Sequence, residues 1–208
     1  MVIQRAGGYG FKLSVGSTAV AVNPPSQKSK KHKVSKFGSD IVIVSIPEDD
    51  WNGVETATHG GKEPFVISGP GAYEVGEVTV TGYATPSNYG DVMSDVGNTI
   101  YIVEMDGIRV LVLGGLSSGK LPSEVRSELD DIGIVLVPVG GETLDAKAAH
   151  ELVTAIEPKA VIPYAVGKEE ELKAFLKASG ETGVKPMDKF TVRMKELSTM
   201  DGDVVLLD

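Results

Sequence analysis

The chain has 208 residues, with 29 acidic and 20 basic side chains, three histidines and a net charge of −9. That balance opposes non-specific binding to nucleic acid or to an anionic membrane. The absence of cysteine removes disulfides and thiolate chemistry, and no apolar run approaches the roughly 18 residues of a membrane span. The N-terminus lacks the apolar segment of a signal peptide, so a cytoplasmic location is expected. The length suits one α/β domain built from two similar halves that meet near residues 105 and 106.

The first half reads as β-rich. Phe11–Val15 and Thr18–Asn23 flank Gly16-Ser17, a tight hairpin signal, and Pro24-Pro25 stops the second strand. SQKSKKHKVSKFGSD then carries Lys28, Lys30, Lys31, Lys33 and Lys36. It reads as a solvated loop, with a local phosphate or polyanion contact as the alternative. Strands are expected at Ile41–Ser45, Phe65–Ser68, Val78–Tyr83, Thr99–Glu104 and Ile108–Leu113, with a hairpin turn at Met105-Asp106-Gly107. SGPGAYEVG, residues 68–76, reads as a turn-rich connection.

The second half alternates strands and helices. Pro122–Leu129 predicts a short helix with a proline in its first turn. Ile134–Pro138 predicts a buried strand. Thr143 is the expected N-cap of a helix whose apolar face is Leu144, Ala148, Leu152, Val153 and Ile156. Ala160–Pro163 predicts a strand, and Glu169–Ser179 a helix stopped by Gly180. Two strands near Phe190–Met194 and Val204–Leu207 close the chain. Strands from both halves with helices outside imply a two-sheet sandwich, whose site lies in the loops after the strands' C-terminal ends.

One apolar strand, IVIVS, runs into an acidic loop, IPEDDW. With VISGPGAYEVG, GNTIYIVEMDGIRVLVLG, VPVGGETLDA and EPKAVIPY, it makes nearly the whole chain resemble the metallo-β-lactamase superfamily. The branch is that of ascorbate-6-phosphate lactonases and related Zn-dependent hydrolases. The resemblance implies a four-layer αβ/βα sandwich, a zinc-dependent hydrolase activity and a homo-oligomer. Family members hold metal with a T-H-x-H-x-D-H loop, a histidine after the next strand pair, an aspartate in an L-G-D turn and a histidine after I-P. Carried over residue by residue, Ser45 stands for the threonine. Ile46, Glu48 and Trp51 replace the loop histidines, and Asp50 keeps the aspartate. The next histidine falls near Ser87, the L-G-D aspartate is Gly115, and the last histidine is Ala165.

Isoleucine, tryptophan, glycine and alanine side chains coordinate nothing. No zinc or other cofactor is therefore expected, and the resemblance supplies the fold while withholding the activity. Glu48 and Asp50 remain weak candidates for a hard cation, against an ordinary acidic surface loop. Trp51 either fills the old cleft or forms an aromatic wall for a ligand. His32, His59 and His150 lie on no motif position. GGLSSGK, residues 114–120, lacks the P-loop spacing, although Gly114, Gly115, Ser117 and Ser118 could cradle an anion. The sequence reading is a non-catalytic binding or assembly protein. Its alternative is a metal-dependent hydrolase of a phosphorylated or lactone-type small molecule with an altered site at Glu48 and Asp50.

Overall fold

Alternating apolar residues build the first sheet. The computed structural model describes residues 1–61, 63–90 and 94–208, with the backbone alone at Ser94 and Asp95. Strand β1 (Val2–Arg5) pairs antiparallel with β2 (Phe11–Val15), placing Ile3 opposite Leu13, both fully buried. β2 turns at Gly16-Ser17 into β3 (Thr18–Val22), and Gly16 takes the positive φ of 55° that the two-residue turn needs. β4 (Ile41–Ile43) and β5 (Phe65–Ile67) add in parallel, so β5 is one edge. β12 (Phe190–Thr191) returns to β1 as the other edge.

The chain passes to the second sheet after β5. β6 (Gly71–Val75), β7 (Val78–Ser87), β8 (Ser94–Met105) and β9 (Ile108–Val112) form an antiparallel meander. β10 (Ile134–Val139), β11 (Ala160–Ala165) and β13 (Asp203–Val204) continue it in parallel from β9. Every residue of β10 is buried, as expected of a strand covered on both faces. The covers are α1 (Ser123–Arg126), α2 (Ala146–Ile156) and α3 (Glu169–Ala178). In α2, Ala149, Leu152, Val153 and Ile156 recur at helical spacing and face the sheet.

One core lies between the sheets and a second between the β9–β11 region and the helices. A thinner layer covers the outside of sheet one. There Phe37 and Val54, the latter opening a 3-10 turn (Val54–Thr56), pack on Ala21, Val42 and Val44. The result is the expected αβ/βα sandwich with its first helical layer reduced to loop and one turn.

Several local expectations need correction. Residues 71–75 are strand β6, not a turn-rich connection, because Tyr73 pairs with Val80 in a regular ladder. β1 escaped notice: VIQR is too short to show a periodicity. The N-cap of α2 is Asp145, whose Oδ1 accepts from Ala148 N at 2.8 Å, whereas the Thr143 hydroxyl donates to Gly140 O at 2.7 Å. The helix expected over 122–129 shrinks to Ser123–Arg126. The strand expected to reach Met194 stops at Thr191, and α4 (Met194–Leu197) follows.

Candidate functional site

The loops after β4, β9 and β11 meet the β7–β8 turn at one end of the sandwich, where folds of this kind place their sites. The loop after β4 is pinned at both ends. Asn23 Oδ1 accepts from Ser45 N at 2.7 Å, and Gly53 N donates to Pro24 O at 2.7 Å. A side chain at Gly53 would place Cβ 2.1 Å from Pro25 O, so only glycine fits that approach. Between the pins, Trp51 N and Asn52 N both donate to Glu48 O, and this turn drives Trp51 inward.

Trp51 is wholly buried. Its ring centroid lies 4.7 Å from Tyr9, 5.3 Å from Tyr89 and 6.5 Å from Tyr164. Ile46 is buried beside it. A Cβ added at Gly115 would sit 2.3 Å from Ile46 Cδ1 and 3.6 Å from Trp51 Cζ2. Ile46 Cδ1 therefore occupies the room that a Cβ at 115 would need, with the Trp51 ring in ordinary contact. Gly115 is held from behind: its N–H donates to Asn98 Oδ1 at 2.9 Å, and Asn98 Nδ2 donates to Thr85 Oγ1 and Leu113 O. The Tyr164 hydroxyl donates to Gly114 O at 2.5 Å.

Asp50 is 8% exposed and both its oxygens are engaged. Ser29 Oγ donates to Oδ1 at 2.5 Å, and the Tyr89 hydroxyl donates to Oδ2 at 2.6 Å. Lys31 Nζ lies 3.1 Å from Oδ2, donates to the Tyr89 hydroxyl at 2.9 Å and stands 4.7 Å over the Tyr89 ring. Burial works to raise the Asp50 pKa, but these hydrogen bonds and the Lys31 charge outweigh it and hold the carboxyl below its usual range. Burial likewise opposes the Lys31 charge, and Asp50 overcomes it, leaving the lysine pKa raised. Burial pushes up the phenols of Tyr9 and Tyr89. His32 sits edge-on to Tyr9 at 4.5 Å, and burial lowers its pKa.

This corrects the reading of residues 26–36. The lysine segment is not simply solvated. Lys28, Lys30, Lys33 and Lys36 are exposed, but Ser29, Lys31 and His32 fold onto the cleft. Sequence reasoning missed Tyr9, Ser29, Lys31 and Tyr89. Their partners lie far along the chain, and the one signal available was the serine and aromatic interleaving of a basic run.

Of the other marked positions, Glu48 and Ser87 stand beside the cluster at the β7–β8 turn, where a Cβ added at Gly90 would lie 3.2 Å from Glu48 Oε1. Glu48 is half-buried, and Ser87 is buried with its Oγ accepting from Tyr89 N at 3.1 Å. Ala165 ends β11 opposite Val139. Half-buried Ser118 accepts from Lys120 N at 3.3 Å in an exposed turn. His59 is exposed, and His150 Nδ1 lies 3.3 Å from Ser179 Oγ between α2 and α3, away from the cleft.

The donors left at these positions do not fit zinc, which favours a cage of imidazole and carboxylate groups. Asp50 already spends its oxygens on Ser29, Tyr89 and Lys31, and the Ile46 and Trp51 side chains fill the ligand volume. Among the described residues no three His, Asp or Glu side chains group as a metal would need.

A two-sheet αβ/βα sandwich with its loop cluster at this end defines the fold of the metallo-β-lactamases. Residues 3–165 match the Beta-lactamase superfamily domain, and the chain belongs to that superfamily. A candidate Zn-dependent hydrolase of the metallo-β-lactamase superfamily from Thermotoga maritima is 25% identical, with a TM-score of 0.76 over 99% of this chain and 97% of that one. A candidate metal-dependent hydrolase from Parabacteroides distasonis is 17% identical, TM-score 0.66, over 99% and 93%. A metallo hydrolase from Ignicoccus hospitalis is 18% identical, TM-score 0.63, over 92% and 99%. No curated protein matches the chain at the sequence level.

Proposed function

We propose that this chain is a non-catalytic member of its superfamily, acting by binding or assembly, with the ancestral metal cleft sealed by its own side chains. One observation carries the reading: Lys31 brings an ammonium to the carboxylate at the superfamily's aspartate position, Asp50, with Ser29 and Tyr89 satisfying the rest. A cation supplied by the chain itself leaves a metal ion no electrostatic advantage there. The hydrolase assignments of the neighbours from Thermotoga maritima and Parabacteroides distasonis favour the second reading, a metal-dependent hydrolase with an altered site. That reading must expel Lys31 and recruit half-buried Glu48.

Metal content and melting temperature separate the two. Protein purified without chelator should carry far less than one zinc per chain, and micromolar Zn²⁺ or Mn²⁺ should leave its melting temperature unchanged. A ligand of the folded state at 100 times its Kd adds about 2.7 kcal/mol, which a melt resolves easily. A rise on zinc addition that disappears in Asp50→Ala would overturn the metal-free reading and leave the altered-site one.

A further inference from the structure

The hydrogen bonds that pin the loop after β4 also hold a reactive dipeptide shut. Asn52-Gly53 is the single Asn-Gly pair in the chain. An asparagine followed by glycine is prone to spontaneous deamidation, because the glycine nitrogen has no neighbouring side chain to hinder its approach to the asparagine amide. The fold leaves position 53 no other residue. A Cβ there would collide with the Pro25 carbonyl, so the closed loop demands glycine and takes the reactive pair with it.

Both ends of the peptide unit that joins the two residues are held. Asn52 O accepts from Val54 N at 2.8 Å, and Gly53 N donates to Pro24 O at 2.7 Å. The flanking groups are tied as well. Asn52 N donates to Glu48 O at 3.0 Å, and Gly53 O accepts from Thr56 N at 3.0 Å and from the Thr56 hydroxyl at 2.7 Å. That hydroxyl also lies 3.1 Å from Pro25 O, which fastens the turn to the Pro24-Pro25 segment. Gly53 and Thr56 are buried, and Asn52 is half-buried. For deamidation the Gly53 nitrogen must swing onto Cγ of Asn52, turning the whole peptide unit about the Asn52 Cα–C bond. That turn breaks the bonds to Val54 and Pro24 together, and at buried Gly53 the freed N–H has no water to replace its partner.

We propose that Asn52-Gly53 is a deamidation site gated by the loop pin, unreactive while Gly53 N is bound to Pro24 O and converted when the loop and the Pro24-Pro25 segment part. In the step, the Gly53 nitrogen forms a bond to Asn52 Cγ and gives its proton to solvent. The Cγ–Nδ2 bond breaks, and the amide nitrogen leaves as ammonia with a proton taken from water. Water then opens the five-membered succinimide at one of its two carbonyls. One product is aspartate at position 52. The other is isoaspartate, in which the main chain runs through the side-chain carbons. Nothing is oxidised or reduced, and water is the only co-reactant. Isoaspartate adds one carbon to the backbone next to Gly53, where not even a Cβ has room. The gate is therefore one-way: an open loop is modified, and an isoaspartyl loop no longer seats Trp51.

The test is peptide mapping by mass spectrometry of the full chain, incubated at mildly alkaline pH both folded and in guanidinium chloride, with isoaspartate scored by an isoaspartyl methyltransferase. The folded chain should convert at residue 52 at least about a hundredfold more slowly, since conversion follows the population of the open loop when opening is fast relative to the chemistry. This comparison needs no variant. Thr56→Val keeps the side-chain shape and removes the hydroxyl from Pro25 O and Gly53 O, so it should speed the folded-state reaction about tenfold. Ile134→Val, a core change in β10 remote from the loop, should leave the folded-state rate unchanged, which separates release of the pin from global unfolding. The purified isoaspartyl chain should show red-shifted Trp51 emission. Equal rates in folded and unfolded parent, equal acceleration in Thr56→Val and Ile134→Val, or an isoaspartyl chain with the parent's emission would overturn the proposal.

Discussion

Gly115, where the family resemblance implies an aspartate, shows how side chains share volume at this end of the sandwich. Gly115 lacks the Cβ that would meet Ile46 Cδ1 at 2.3 Å, so the small residue and the branched one share one volume. Interiors close-packed to this degree register a single methyl group. Gly115→Ala should cost about 1–3 kcal/mol by overpacking, and Ile46→Val should return much of it in the double variant. Denaturant melts of the four proteins give the coupling, and strictly additive costs would disprove the shared volume. Trp51 is the large partner in the same exchange. Its fluorescence should be blue-shifted and poorly quenched by iodide, and Trp51→Ala should cost about 3–5 kcal/mol. A red-shifted, freely quenched tryptophan would mean an open cleft with Trp51 as a ligand wall. The sequence alone pointed to Ile46, Gly115 and Trp51, because each stands on a motif position. It was silent on Tyr9 and Tyr89, which stack on Trp51 from β1–β2 and β7–β8 and occupy no such position.

Secondary-structure elements were legible in proportion to their length and periodicity. Helix α2 carries a full apolar stripe and Asp-Gly marks the β8–β9 turn, where Asp106 and Gly107 take φ of 53° and 72°. β6 was hidden because its alternation is short: only Tyr73 and Val75 turn to the core, behind a Gly-Pro-Gly stretch that reads as a turn. It is a strand because β7 presents an unpaired edge. β5 and β6 are the edge strands at one end of each sheet. β5 also exposes Phe65 at 50% and Val66 at 42%. Natural proteins blunt such edges or use them in assembly. If the homo-oligomer implied by the family resemblance forms through β5, sedimentation at micromolar concentration should show a species larger than the 21.9 kDa chain, and Val66→Lys should dissociate it. A monomer in both proteins rules that interface out.

For the whole molecule, the hydrogen bonds on Asp50 and Glu55 tie stability to pH. Asp50 is held below its ordinary value of 3.8, since the hydrogen bonds from Ser29, Tyr89 and Lys31 outweigh the burial that would raise it. Burial works to raise the Glu55 pKa as well, and the hydrogen bonds from Ser26 Oγ and Gln27 N outweigh it and hold the carboxyl below 4.5. A carboxyl whose folded pKa is depressed binds fewer protons folded than unfolded. Its contribution is complete above the unfolded value and drains away as pH falls through the folded one. Both carboxylates join the 23–36 segment to the loop after β4, so protonation loosens one seam at two points. On the alkaline side the sign reverses. The phenols of Tyr9 and Tyr89 and the Lys31 ammonium have raised pKa values, so what they contribute is complete below about 10 and lost as pH climbs through the folded values. Thermal melts should therefore plateau between about pH 5 and 9 and fall on both sides. Lys31 is more than half exposed, so its removal should move the plateau by no more than about 1 kcal/mol after solvent screening. The acid limb is the discriminating one. In Asp50→Asn the plateau should drop and the fall below pH 4 should become shallower, because one proton-linked group has gone. An acid limb of unchanged slope in Asp50→Asn would mean that the seam is held by packing around Trp51 alone, and that the Lys31–Asp50 pair is incidental to closure.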